Sequence, residues 1–297
     1  SVKGDYSWNR YSTVQKFHRK EMTQTFPEGR DPYLVETPNY VRNYNSNNIY
    51  QAINVWAEYK KSFNDVHNLS LMAGYNQEEK TYASTSYTMT DLYDNEMPIS
   101  DLAINYKENE EGSDIWRVQG AFFRLNYDYR SKYLLEVNGR YDGSSKYAKH
   151  DRWAFFPSAS VGWRISEEKF FKSLSKVVDN LKIRASIGAL GNQITDGNHS
   201  FMSIISGKVL TNYMMDGKIV NGLNIPTLPS MVTWEKVITK DIGLDWSLFK
   251  NLLFDSFDFY VRDTKDMVRS VTLPAVLGTS GGKENIADMR TVGWELE

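Results

Sequence analysis

The 297-residue chain contains no cysteine. A disulfide framework, a thiolate metal site and a thiol nucleophile are all excluded. Only four histidines occur, His18, His67, His150 and His199, and none has a second metal ligand at helical or hairpin spacing. Neither charge is in excess: 35 basic residues stand against 37 acidic ones, a net charge of −2 with a pI near 6.1. Such a balance leaves no electrostatic footprint for nucleic acid. Long apolar runs are missing too. The longest is Trp153-Ala154-Phe155-Phe156, whereas a helix that spans a bilayer takes roughly 20 apolar residues. The opening Ser1-Val2-Lys3-Gly4-Asp5 lacks the apolar core of a signal peptide. What is present is a 41% hydrophobic content, too high for a disordered chain, and a wealth of aromatics: 14 Phe, 8 Trp and 19 Tyr. The mean hydropathy of −0.53 has the value of an ordinary soluble protein, but strand-built membrane proteins are equally polar on average.

The dominant pattern is a two-residue alternation in segments of about ten residues, bounded by turn residues. In Tyr133 to Tyr141, one face carries Tyr133, Leu135, Val137, Gly139 and Tyr141, and the other Leu134, Glu136, Asn138 and Arg140. The same alternation runs through Phe155 to Ile165, Leu181 to Ala189, Asp241 to Leu248, Ser256 to Arg262 and Asn68 to Tyr75. Weaker strands are predicted over Tyr6 to Val14, Ile49 to Tyr59 and Trp116 to Asp128, with a short one over Thr291 to Glu297. Compact connections (Lys61 to Val66, Tyr129 to Lys132, Phe249 to Leu252) alternate with longer ones (Gln77 to Ile115, Asp142 to Arg152, Gly191 to Thr233, Asp263 to Arg290). Ser166 to Asn180 reads as a short amphipathic helix with Phe170, Leu174, Val177 and Val178 on one face.

Alternation alone does not separate a membrane barrel from a soluble sandwich, because both have one apolar face. Three features favour the barrel: strands of about ten residues against a usual 5–6, connections that alternate in length, and aromatics at one set of strand ends. Those aromatics are Tyr59, Tyr127, Tyr129, Tyr133, Trp163 and Trp246. Rings with a polar tip prefer the membrane–water boundary. The predicted fold is therefore all-β, an antiparallel up-and-down transmembrane barrel with long extracellular loops and one short periplasmic helix. Its final strand falls short of the 9–11 residues that cross a membrane, and an open edge in lipid is not viable, so residues 1–297 are expected to be part of a larger barrel.

A set of motifs follows in a defined order. Gly139-Arg140-Tyr141-Asp142-Gly143-Ser144-Ser145-Lys146 precedes Arg152-Trp153 and Phe155-Phe156-Pro157-Ser158. Gly162-Trp163-Arg164-Ile165-Ser166-Glu167-Glu168, Leu181-Lys182-Ile183-Arg184-Ala185-Ser186 and Gly191-Asn192-Gln193 follow. Thr233-Trp234-Glu235-Lys236, Asp241-Ile242-Gly243-Leu244-Asp245 and Asp288-Met289-Arg290-Thr291-Val292-Gly293-Trp294-Glu295 close the series. In this order the stretch from about Ala121 to Glu297 resembles the SusC/RagA-type TonB-linked outer-membrane transporters. Departures are Ile187, where the family more often has Tyr, and Ser230-Met231-Val232 ahead of Thr-Trp-Glu-Lys. The resemblance implies about ten strands of a 22-stranded barrel, lying outside a signal peptide, a plug and further C-terminal strands. It also implies TonB-powered import of oligosaccharides or peptides across the outer membrane, under a SusD-type surface lipoprotein. A passive porin-like channel and a soluble carbohydrate-binding β-protein are the alternatives.

No catalytic, cofactor or metal site is expected. His150-Asp151, between Lys149 and Arg152, reads as a solvated charge cluster, and the acidic run Glu108, Glu110 and Glu111 as a solvated loop rather than a calcium site. The glycines of Leu277-Gly278-Thr279-Ser280-Gly281-Gly282 read as a loop and not a phosphate cradle. Arg124, Glu136, Asn138, Arg140, Arg164, Lys182, Arg184, Asp245, Asp258 and Arg262 fall on the polar faces of their strands and are expected to face the lumen, where pairing with neighbouring strands or the plug is favoured over contact with cargo. The loop aromatics Tyr87, Tyr93, Trp153 and Tyr213 are candidates for stacking on sugars, with packing among loops or against a lid protein favoured.

Overall fold

The computed structural model describes residues 1–297 except 28, 65, 194–196, 200, 203–208, 224–228, 275 and 277–280. Its strands are β1 (Val2–Arg19), β2 (Met22–Gln24), β3 (Tyr33–Glu36), β4 (Tyr40–Phe63), β5 (His67–Leu92), β6 (Ala103–Tyr129), β7 (Tyr133–Ser144), β8 (Trp153–Arg164), β9 (Val178–Asn192), β10 (Val209–Met215), β11 (Lys218–Leu223), β12 (Glu235–Leu248), β13 (Leu253–Ser270) and β14 (Lys283–Leu296). Ten of them form one sheet in the order β1-β4-β5-β6-β7-β8-β9-β12-β13-β14, while β2-β3 and β10-β11 are separate hairpins. All ten strands expected from the alternation are in this sheet.

Register carries the two faces across the sheet, since residues directly opposite each other point the same way. One row reads Tyr129, Tyr133, Trp163, Ile183, Leu244, Phe257, Leu296 from β6 to β14. The adjacent row, on the other face, reads Leu134, Gly162, Arg184, Gly243, Asp258, Glu295 from β7 to β14. A slip of one residue would exchange the two rows, so the turns must hold the phase. At the β6–β7 turn, Arg130 and Ser131 both adopt left-handed φ, 53° and 54°, the hand that matches strand twist. The Ser131 amide donates to the Asp128 carboxylate at 2.7 Å. At the β12–β13 turn Phe249, Lys250 and Asn251 all have positive φ. Neighbouring compact turns are tied together: Arg130 N–H donates to Val66 O, Arg164 N–H to Lys132 O and Phe249 N–H to Val177 O, at 2.8, 2.8 and 2.9 Å.

The chain divides into two compact units. One comprises Ser1–Asp5, Ile53–Gln77 and Arg117–Glu297, the other Tyr6–Ala52 and Glu78–Trp116. The second unit overturns one expectation. Gln77 to Ile115 is not a loop: β5 and β6 run for 26 and 27 residues and leave only 93–102 as the connection. At 3.3–3.4 Å per residue each strand is roughly 90 Å long, far beyond a membrane crossing. Glu108, Glu110 and Glu111 therefore lie on a strand, as does Tyr87. Likewise much of Asp263 to Arg290 is strand: β13 runs to Ser270 and β14 begins at Lys283. Polar residues occupy both faces in these stretches, which erases the apolar alternation that marks a strand.

The predicted helix over Ser166 to Asn180 is also corrected. Two 3₁₀ turns, Ile165–Glu167 and Lys169–Ser173, stand there, neither with a side-chain cap, and Val178 already belongs to β9. Neither turn has the side-chain cap that favours an α-helical start. The tighter 3₁₀ winding buries Phe171 and leaves Phe170, Leu174 and Val177 exposed.

Candidate functional site

The polar face of β6–β13 holds two networks. In the first, Arg184 on β9 donates from Nε to Asp245 at 3.0 Å, from Nη1 to Asp241 at 3.3 Å and from Nη2 to Asp258 at 2.6 Å. Lys182 adds a contact to Asp245 at 3.3 Å. Asp258 is two strands away from Arg184, and Gly243 stands between them in the register. A Cβ at Gly243 would lie 2.5 Å from both Arg184 Cζ and Asp258 Oδ1. The glycine is thus a notch through which the guanidinium reaches over β12. This accounts for the Asp-x-Gly-x-Asp spacing: Asp241 and Asp245 flank the notch on the same face. In the second network, Arg124 donates to Asn138 Oδ1 at 2.8 Å, and Asn138 donates to Glu136 at 2.7 Å and to Ser158 Oγ at 3.2 Å. Arg140 pairs with Asp142 at 2.9 Å and covers the Phe122 ring. Arg262 lies over the Tyr260 ring, and Arg164 ends β8 opposite Lys182.

Of the residues expected here, Arg184, Asp258, Asp245 and Lys182 are brought together, as are Arg124, Glu136 and Asn138. Arg140, Arg164 and Arg262 stand apart from both networks. Asp241 and Gly243 belong to the Arg184 network, four and two residues before Asp245 on the same strand face, and Asp142 pairs with Arg140; the sequence marked all three only as members of longer motifs. The face is concave. A cavity of about 740 Å³ lies next to the compact turns, lined by Lys60, Asn68, Asn126 and Asp241 among others. Another of about 530 Å³ lies beyond it, against Arg124, Arg140 and Thr239. Among the described residues no group of three His, Asp or Glu side chains is arranged to hold a metal ion. His150 and Asp151 touch at 2.8 Å on the surface.

The opposite face is apolar and exposed: Val161, Ile187, Ile242 and Trp294 are 53%, 49%, 60% and 68% accessible. At its compact-turn end the aromatics form a stack. His67 meets Tyr129, Tyr129 meets Tyr133 and Tyr133 meets Trp163, with centroids 4.9, 6.2 and 6.5 Å apart. Tyr127 bonds His67 Nδ1 through its hydroxyl at 2.7 Å. Trp246 is on this face opposite Leu181, and Tyr59 shares the phase of Ile53 and Val55. Glu168 clamps the stack, accepting from Tyr133 Oη at 2.8 Å, Trp163 Nε1 at 3.4 Å and Lys132 Nζ at 3.0 Å. The Tyr133 hydroxyl first, then Lys132, hold the Glu168 carboxyl below the usual carboxylate range. His67 and Glu168 were not foreseen as members of this array.

At the long-loop end the recurring motifs pack on one another. Tyr147, Phe156, Val232, Trp234 and Val268 form a buried cluster. Trp234 Nε1 donates to Arg152 O at 2.9 Å and Ser144 Oγ to Gln193 at 2.9 Å. Glu235 accepts from Val268 N–H at 2.7 Å. Trp153 is therefore placed: it begins β8 and stacks on Tyr141 at 5.0 Å. Tyr93 is 86% exposed in the β5–β6 connection. The side chain of Tyr213, and Leu277 to Ser280, lie outside the described residues.

A family model described as TonB dependent receptor-like, beta-barrel, matches residues 2–297. The chain belongs to the TonB-dependent receptor β-barrel family. The TonB-dependent receptor P39 of Formosa agariphila is 32% identical over 241 residues, 80% of this chain and 22% of that protein. The TonB-dependent receptor SusC of Bacteroides thetaiotaomicron is 30% identical over 179 residues, 59% of this chain and 18% of that protein. The solved RagAB peptide transporter superposes with a TM-score of 0.78 at 22% identity, over 99% of this chain and 31% of that one. This TonB-dependent receptor barrel is of the SusC/RagA kind and belongs to the outer membrane. The chain spans about a fifth of the length of these two curated relatives. The ten-stranded sheet is accordingly an open part of a barrel wall, with β1 and β14 at its edges.

Proposed function

We propose that this chain forms part of the wall of an active importer for large nutrients. The polar face, with Arg124, Glu136, Asn138, Arg140, Arg164, Arg184, Asp258 and Arg262, lines the lumen. The apolar face meets lipid, and Tyr59, Tyr127, Tyr129, Tyr133, Trp163 and Trp246 lie at the periplasmic interface. One observation carries the reading: a single sheet has an exposed apolar face backed by a face of interlocked charges. An Arg or Lys turned to the bilayer midplane costs roughly 2–4 kcal/mol, so the Arg184 network cannot face lipid. Its ion pairs span three strands and serve to hold the wall rather than to grip cargo.

The cargo class is oligosaccharide or peptide. The resemblance carried by the motifs implies that range, and a peptide transporter is among the solved structures of similar fold. A SusD-type lipoprotein would cover the extracellular mouth, and TonB would supply energy through a plug elsewhere in the full-length protein. Catalysis has no part in this reading. Uptake of a labelled oligomer by cells carrying the full-length protein tests it: uptake should cease when TonB is removed. Undiminished uptake without TonB would instead mark a passive channel.

A further inference from the structure

Two glycine notches on the polar face each serve an arginine, with opposite outcomes. Arg184 passes Gly243 and is met by Asp245, Asp241 and Asp258. Arg262 stands over the Tyr260 ring at 5.6 Å. That ring lies across Gly293, directly opposite on β14. A Cβ at Gly293 would come within 2.5 Å of Tyr260 Oη and 2.6 Å of Cζ, so only glycine lets the ring lie down on the wall. Among the described residues no carboxylate pairs with the exposed Arg262, and neither its guanidinium nor Tyr260 Oη makes a hydrogen bond. Asp241, opposite Tyr260 on β12, answers to Arg184 and Asp258 instead. A guanidinium carried on a ring keeps its planar fork of donors open to a carboxylate or a sulfate.

The surroundings of Arg262 define the rest of the ligand. The row through it reads Asn138, Ser158, Gly188, Thr239, Arg262, Thr291 from β7 to β14. The hollow of about 530 Å³ follows this row from Asn138 to Thr239. The row offers hydroxyls and an amide but no apolar side chain. It suits the hydroxyls of a sugar and gives the apolar side chains of a peptide nothing to bury against. Height matters as well. On the outer face of β13, Phe257, Phe259 and Val261 give way to Asp263, held by Arg290 at 2.6 Å. Arg262 therefore stands where the apolar band ends, on the long-loop side of the lumen and away from the compact turns.

We propose that Arg262, carried on Tyr260, reads the carboxylate or sulfate of an acidic oligosaccharide at the mouth of the lumen, with Thr239 and Thr291 meeting its hydroxyls. This rests on the importer reading and narrows its cargo. Arg184 is quenched by three carboxylates and holds the wall; Arg262 has none and is left for the cargo.

The test presents the purified full-length protein with an equal mixture of neutral and acidic oligosaccharides, the acidic ones bearing uronate or sulfate groups, and with a second mixture of neutral and acidic peptides. Retained species are identified by mass spectrometry. Acidic oligosaccharides should be enriched about tenfold over neutral ones. Arg262→Gln should abolish the enrichment and Arg262→Lys should keep part of it. Lys240→Gln removes a charge on the outer face, opposite Val261, and should leave the enrichment unchanged. Retention of neutral oligosaccharides alone, or acidic enrichment that survives Arg262→Gln, overturns the proposal and leaves TonB-dependent import intact. Enrichment of acidic peptides in place of sugars also overturns it. If no oligosaccharide is retained the proposal fails, and uptake with and without TonB decides separately whether the importer reading fails with it. Should Arg262→Gln not assemble, the unmodified protein decides: the enrichment should fall severalfold between about 50 and 500 mM salt, and enrichment indifferent to salt overturns the proposal.

Discussion

In the unit made of Ser1–Asp5, Ile53–Gln77 and Arg117–Glu297, one face exposes Ile183, Ile187, Ile242 and Phe259 while the other is laced with ion pairs. In the unit of Tyr6–Ala52 and Glu78–Trp116 the buried positions are instead mostly small and polar, among them Ser46, Ser86, Thr88 and Thr90. Tyr44 and Tyr82 share a hydroxyl bond at 2.8 Å there, Tyr50 donates to Glu78 at 3.0 Å, and Arg42 bonds both Ser86 and Glu110. The backbone ladder is the same in both units, and β4, β5 and β6 contribute to each. On the proposed reading, the difference lies in what the faces meet. Lipid sorts side chains by polarity and leaves a strict alternation. Where no lipid sorts them, Thr, Ser and Tyr serve equally on both faces, and hydrogen bonds between side chains replace apolar contact.

The largest predicted effect separates the two units directly. Ile183→Arg should cost roughly 2–4 kcal/mol and block assembly of the full-length protein, while Ser186→Arg on the other face should assemble normally. Ile104→Arg, at an apolar position 74% exposed in the polar unit, should stay within about 0.5 kcal/mol. Heat-dependent gel mobility of membrane extracts measures all three. Equal loss from Ile183→Arg and Ile104→Arg would erase the distinction.

The second effect contrasts two glycines. Gly243→Ala places a methyl group where the Arg184 guanidinium passes and should unseat it. Arg184 is a third exposed, so the loss is discounted to about 1–2 kcal/mol. Gly112→Ala meets the Ser84 hydroxyl at 2.7 Å, a group that can rotate away, and Tyr82 Cε1 at an ordinary 4.0 Å, and should cost less than about 1 kcal/mol. Thermal unfolding of the purified full-length protein orders the two.

A third contrast depends on pH. The folded-state pKa of Glu168 lies below its unfolded value, so its contribution is complete above that unfolded value of about 4.3 and is lost as pH falls through the folded one. Fluorescence of Trp163, isolated by difference against Trp163→Phe, should change as the pH is lowered past 4. With Glu168→Gln that change should vanish. The smallest effect belongs to the polar unit: Tyr44→Phe removes the hydroxyl that bonds Tyr82 and should cost about 0.5–1.5 kcal/mol by thermal unfolding.

The same contrast explains what the sequence disclosed. Strand phase was legible wherever one face is apolar, as in Tyr133 to Tyr141 and Leu181 to Ala189. The full lengths of β5 and β6 were not, because a stretch such as Thr81 to Thr90 has no apolar face to announce a strand. The turn at Ser166 looked helical because Phe170, Leu174 and Val177 have helical spacing, yet residues 165–177 hold two uncapped 3₁₀ turns instead. Candidate charges were legible by phase alone. Their grouping was not, because Arg184 reaches Asp258 across Gly243 through a pairing of distant segments. Nor did His67 or Glu168 carry a pattern of its own; both are drawn into the ring stack by adjacent turns.

The most direct test of the central claim is a scan of single cysteines along β9, from Lys182 to Ala189, in cysteine-free full-length protein in its native membrane. A lipid-confined quencher should reach probes at 183, 185, 187 and 189, and a membrane-impermeant thiol reagent admitted through the lumen should reach 182, 184, 186 and 188. Access without a two-residue period, or with the two sets exchanged, would contradict the assignment of the apolar face to lipid and the Arg184 face to the lumen.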